Sequence, residues 1–134
     1  MTNEVLCVTD FTDASKDAVK WSVGMSKKLK CHLTILYAYR IFKQNDETVN
    51  LKKQSEEEAS KNFKSLEKEV LEGAGISYDF RAEIGFINNR VEDHVRKNKV
   101  SLLVVDQGIS NRNKESFNEL MKKHKVPLVI VPEC

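Results

Sequence analysis

No apolar run among the 134 residues approaches the roughly 20 needed to span a bilayer. The start, Met1-Thr2-Asn3-Glu4, has neither the basic opening nor the apolar stretch of a secretory signal. The expectation is a cytoplasmic protein with no membrane role. Charge of one sign is missing too: 22 Lys and Arg against 20 Asp and Glu leave a net charge of +2, with both signs mixed along the chain. Nucleic-acid binding wants a basic stripe, and none is present. Cysteine is scarce. Cys7, Cys31 and Cys134 are odd in number and scattered, which excludes a disulfide framework and a Cys-x-x-Cys metal site. Cys7 reads as a small buried hydrophobe, and Cys134 as an exposed terminal thiol open to adventitious disulfides. His32, His94 and His124 share no metal-ligand spacing. His94 lies among charges, and His124, with Lys122, Lys123 and Lys125, reads as charge at a helix end. Hydrolase nucleophile elbows and Walker loops are absent. There is no internal repeat, low-complexity tract or linker, so residues 1–134 are expected to form one domain.

What remains is a globular composition, 40% hydrophobic and 31% charged, arranged as alternating short strands and helices. Glu4 to Thr9 is rich in β-formers and ends at Asp10-Phe11-Thr12-Asp13, where Thr12 suits a helix N-cap and Asp13 its first turn. A helix is expected from about Asp13 to Leu29, with an apolar stripe of Ala14, Ala18, Trp21, Met25 and Leu29. His32 to Tyr39 forms the second strand. After a polar connection, Arg40 to Glu47, a long helix runs from about Thr48 to Glu72 with Ala59, Phe63, Leu66 and Val70 inward. Gly73 or Gly75 supplies its left-handed cap. Ser77 to Ile84 alternates apolar and polar residues, as a strand wetted on one face at a sheet edge does. A short helix follows, with Asn88 or Asn89 as cap and Val91 and Val95 inward.

Val100 to Val105 is aliphatic except for Ser101 and reads as a parallel strand buried on both faces. Asp106 opens a polar loop reaching about Lys114. A helix from Glu115 to His124 turns Phe117, Leu120 and Met121 inward, and Leu128 to Val131 is a last strand bracketed by Pro127 and Pro132. Strand–helix alternation of this kind builds an open, mostly parallel α/β sheet, doubly wound, with helices on both faces. In such sheets ligands sit beyond the carboxyl ends of the strands.

Three places resemble the universal stress protein family: Val5-Leu6-Cys7-Val8-Thr9-Asp10 followed by Thr12; Glu83-Ile84-Gly85; and Leu102 to Val105, followed by a helix and by Val126 to Val131. The resemblance spans almost the whole chain. It implies five strands in the order 3-2-1-4-5, a switch point between the first and fourth, and antiparallel pairing of two last strands in a homodimer. Members of the family with Gly-x2-Gly-x9-Gly and Ser or Thr after the fourth strand bind ATP. The physical reason is that the glycine backbone and the next helix N-terminus cradle phosphates. Here the corresponding positions are Asp106, Ile109 and Lys114-Glu115. Eight positions separate Asp106 from Lys114 against thirteen in the motif, and only Gly108 remains, out of place. Asp106 and Glu115 would repel a polyphosphate by on the order of several kcal/mol, offset in part by Arg112 and Lys114. The expectation is therefore a non-catalytic, dimeric stress-response protein that does not bind ATP and carries no cofactor.

The alternative is a small-ligand or adenine-nucleotide binder with an altered loop. Asp10, Thr12, Tyr39, Asp106, Gln107 and Gly108 would then line the crevice. Paired carboxylates at Asp10 and Asp106 could also hold Mg²⁺, but no metal is expected. A phosphoacceptor receiver is excluded, because no acceptor Asp follows the third strand and no Lys follows the fifth. Leu128, Val129, Ile130 and Val131 carry no charge to deter pairing, so this edge is expected to join a second copy. No residue names a further protein partner.

Overall fold

The computed structural model describes residues 3–41 and 48–132. Cys134 and most of the polar connection Arg40 to Glu47 lie outside that range. The elements are β1 (Glu4–Val8), α1 (Asp13–Leu29), β2 (His32–Tyr39), α2 (Thr48–Leu66) continued by a π-helical turn (Glu67–Leu71), β3 (Tyr78–Ile84), α3 (Ile87–Lys97), β4 (Val100–Asp106), α4 (Gln107–Arg112), α5 (Lys114–His124) and β5 (Leu128–Val131). The five strands form one sheet in the order β3-β2-β1-β4-β5, and every pairing is parallel. Two apolar cores cover its faces. Leu6, Val8, Leu103 and Val105 pack with Val91 and Val95 of α3 and Phe117 and Leu120 of α5. Val5, Cys7, Leu33 and Ile35 pack on the other face with Ala18 and Val19 of α1 and Leu66. Successive residues of β1 and β4 thus feed opposite cores, which is why residues 5–8 and 102–105 are unbroken apolar runs.

Three local expectations are corrected. The buried face of α1 is Ser15, Ala18, Val19, Ser22 and Ser26, while Leu29 is exposed and Trp21 only packs at the margin. The helix lies on the sheet by its smallest side chains, and Ser22 satisfies its hydroxyl by donating to the Ala18 carbonyl at 2.8 Å. In the long helix the π turn adds one residue to the local repeat. Leu71 is therefore fully buried while Val70 is only partly so. Finally, Phe86 and not Asn88 or Asn89 is the N-cap residue of α3, with no side-chain cap bond. Val91 and Val95 are buried as expected.

Glu4 and His94 are a pairing that the chain order conceals. Glu4 begins β1 yet is only 8% exposed, and His94 of α3 is 6% exposed. His94 Nε2 meets Glu4 Oε1. Thr34 donates to Glu4 Oε2 at 2.7 Å and lies 3.0 Å from Asp79 Oδ1, whose carboxylate also meets His32 Nε2 at 2.7 Å. A polar line thus crosses β1, β2 and β3 at their amino ends. Burial pushes the Glu4 carboxyl up, but His94, Thr34 and the His32 charge outweigh it and leave its pKa below the ordinary value.

Candidate functional site

Adjacent strands β1 and β4 lead to Asp10, in the turn just past Val8, and to Asp106, the last residue of β4, so the switch point brings two carboxylates together. The chain leaves β1 through Phe11, a bulky residue in the left-handed region at φ 61°. The turn is held by Thr9 Oγ1, which accepts from Phe11 N–H at 3.1 Å, and by the Phe11 ring, 4.9 Å from Tyr37 and 5.8 Å from Phe80 between centroids. Thr12 then caps α1, its side chain accepting from Ser15 N–H at 3.2 Å.

Asp10 accepts from Thr12 N–H at 3.1 Å and from the hydroxyls of Thr12 and Ser15, each at 2.6 Å. Arg112 Nη2 donates to its other oxygen at 3.2 Å. Burial raises the Asp10 pKa, but these hydrogen bonds and the guanidinium charge hold it below the usual carboxylate range. Asp106, 2% exposed, caps α4 by accepting from Ile109 N–H at 2.9 Å, and its other oxygen meets the Ser15 hydroxyl. Ser15 therefore stands between two carboxylates with a single hydroxyl hydrogen and ties β1, α1 and β4 together.

The polar loop expected at Asp106 to Lys114 is helical instead. Gln107 and Gly108 open α4, and Gly108 does not have a positive φ. Ile109 is wholly buried in the core. Asn113 closes α4 by donating from its side chain to the Ile109 carbonyl at 2.8 Å. At the α4 N-terminus the Ile109 N–H is thus taken by Asp106, and the Ile109 side chain is packed in the core.

Of the residues expected to line the crevice, Asp10, Thr12 and Asp106 join one hydrogen-bonded cluster. Gln107 is exposed on α4. Tyr39 is engaged elsewhere: its hydroxyl donates to Glu56 of α2 at 2.9 Å, and burial, with that bond and the Glu56 charge, pushes its pKa up to about 12. Glu115 is exposed in the first turn of α5. Ser15 was missed. Its signal was present in the spacing of Ser15, Ala18, Ser22 and Ser26, a small-residue face at helical period. No group of three or more His, Cys, Asp or Glu side chains among the described residues is placed to hold a metal ion, and no described helix is long and apolar enough to cross a membrane.

A parallel sheet in the order β3-β2-β1-β4-β5, with the first and fourth strands meeting at an acidic switch point, defines an open, doubly wound α/β protein. More narrowly, the chain belongs to the universal stress protein family, whose model matches residues 1–132. A search of curated proteins returned no match. Among solved structures, the chain is similar to a universal stress protein family member from Burkholderia pseudomallei (15% identity, 97% of this chain and 96% of that one, TM-score 0.75). It is also similar to a universal stress protein solved in complex with cAMP (19% identity, 97% of each chain, TM-score 0.69). A third is the Archaeoglobus fulgidus protein solved with dAMP (10% identity, 98% of each chain, TM-score 0.65). At these identities the likeness is one of fold.

Proposed function

We propose that this chain is a non-catalytic universal stress protein whose triphosphate crevice is closed, and that it works as a homodimer joined through β5. The observation that carries the first claim is Asp106. Its buried carboxylate holds the α4 N-terminus and the Ser15 hydroxyl, so a phosphate would have to displace a like charge and break a cap. Arg112, which the sequence offered as an offsetting charge, is already committed to Asp10. Supporting the second claim is Ile130, 47% exposed on the four-residue edge strand β5, beside a cleft formed by Phe117, Met121 and Leu128. Calorimetric titration with ATP, AMP and adenosine, beside a light-scattering mass, tests both. Micromolar ATP binding overturns the first, and a monomer at micromolar concentration the second.

A second reading is favoured by the relatives solved with cAMP and dAMP. In it, Asp10 and Thr12 retain a nucleoside or monophosphate although the triphosphate site is closed. Adenosine or AMP binding without ATP binding is its signature.

A further inference from the structure

We infer that Ser77 is an activated serine that accepts an acyl group from a small activated ester, with His32 as its general base and Asp79 holding the imidazole in place. The three lie at the amino ends of β2 and β3, at the opposite end of the sheet from the switch point. Strand register brings them together. Leu33 pairs with Tyr78 and Thr34 with Asp79, so His32, one residue earlier, stands beside Ser77. Ser77 and Asp79 are two apart in extended chain and send their side chains to the same side. Both backbones are anchored there: Leu33 N–H donates to the Ser77 carbonyl at 3.0 Å and His32 N–H to the Asn3 carbonyl at 3.2 Å.

The hydrogen positions follow from Asp79. His32 Nε2 lies 2.7 Å from Asp79 Oδ1, and its Nδ1 lies 2.9 Å from Ser77 Oγ. Burial raises the Asp79 pKa, but bonds from His32, Thr34 and Arg81, with the His32 charge, hold it below the ordinary value. An ionised carboxylate only accepts, so Nε2 carries the hydrogen. In the neutral imidazole Nδ1 is then the bare nitrogen, and the Ser77 hydroxyl donates to it. A nucleophile on a base, and that base on an orienting carboxylate, is the arrangement that activates a serine. Thr34, donating to Asp79 Oδ1 at 3.0 Å, and Arg81 Nε, 3.3 Å from Oδ2, keep the carboxylate from turning away. Charge pairing between His32 and Asp79 does not by itself explain a serine on the second ring nitrogen.

Ser77 is exposed, so its oxygen is open to an ester arriving from solvent. With His32 it lines a cleft of about 280 Å³ whose wall includes Cys31 and Ile76, a size at the lower end of small-molecule sites. In the reaction, Oγ attacks the ester carbonyl carbon while its proton passes to Nδ1. The carbonyl electron pair moves onto oxygen and returns as the bond to the leaving group breaks. That group departs with the bonding pair and takes the proton from Nδ1, leaving an acylated serine, a free alcohol and a neutral imidazole.

Incubation with p-nitrophenyl acetate, with the acetyl group located by peptide mass spectrometry, tests the site. Ser77 should be acetylated on the order of 10²-fold faster than Ser60 and Ser65, exposed serines of α2. His32→Gln, which keeps a donor toward Asp79 and removes the base, should slow the acetylation of Ser77 by about the same factor. Ser77→Ala, an exposed change, should abolish the burst of p-nitrophenol and leave the melting temperature where it is. The inference is overturned if Ser77 is acetylated no faster than Ser60 and Ser65, or equally fast in folded His32→Gln. The comparison among serines is made within one folded protein, so it stands even where His32→Gln loosens β2. Release of p-nitrophenol past one equivalent, with the acetyl group found on Ser77, supports the inference and overturns the non-catalytic reading of the chain.

Discussion

Asp106 is the side chain on which the reading of the crevice rests, and it was visible from its place at the end of an aliphatic run. What it does there was not visible. It caps a helix where a loop was expected, because six residues from Gln107 to Arg112 suffice for a short helix once Ile109 is drawn into the core. Replacing Asp106 with Ala should cost about 2 kcal/mol, the loss of a cap and of a buried contact, read as a lower denaturation midpoint. Asp10 should make stability fall in acid. Its folded pKa lies below the ordinary carboxylate value of 3.8, so its contribution is full above that value and is lost as pH falls through the lower folded one. Melting curves between about pH 5 and 2.5 should therefore be flatter for Asp10→Asn than for the unaltered protein.

Among the helices, the π turn after α2 has the clearest consequence. An unbroken 3.6 repeat from Ala59 points Val70 inward, and the added residue brings Leu71 in instead. Leu71→Ala should cost about 2–5 kcal/mol and Val70→Ala clearly less. Urea denaturation of the two variants checks the register, and equal losses would contradict it. Where β1 meets α3, His94→Ala would leave the Glu4 carboxylate buried without the imidazole that meets it. The cost should be about 3–5 kcal/mol, far more than for a histidine on a charged helix face, which is how the chain order alone presents it. A loss below about 1 kcal/mol would show that the pair is not held as drawn. Glu4 has the same sign as Asp10. Its folded pKa is lowered from 4.5, so the stability it confers is present above that value and fades as pH falls below it.

For the molecule as a whole, the edge strand β5 sets the expected assembly. The four residues 128–131 are not equivalent, because Val129 and Val131 pack into one core and Leu128 into the other. Lysine at 129 would damage the fold, whereas Ile130→Lys alters an exposed side chain. That variant should halve the mass in solution while keeping the melting transition cooperative. An unchanged dimer mass would place the interface elsewhere.

The succession of strands and helices was legible from apolar period and caps alone, since those are local properties of neighbouring residues. So was the placing of Asp10, Thr12 and Asp106 at or just beyond the carboxyl ends of β1 and β4, where the apolar runs stop. Contacts between residues distant in the chain were decided only by the tertiary structure. Ser15 joins Asp106 across 91 positions and His94 joins Glu4 across 90. Each is a hydroxyl or imidazole on a helix whose rotation against the sheet is set by the side chains it buries there, small ones on α1 and valines on α3. Tyr39 shows the same limit: its place at the end of β2 was readable, but α2 captured its hydroxyl. Local chemistry determined which elements form, and packing geometry determined which polar groups meet between them.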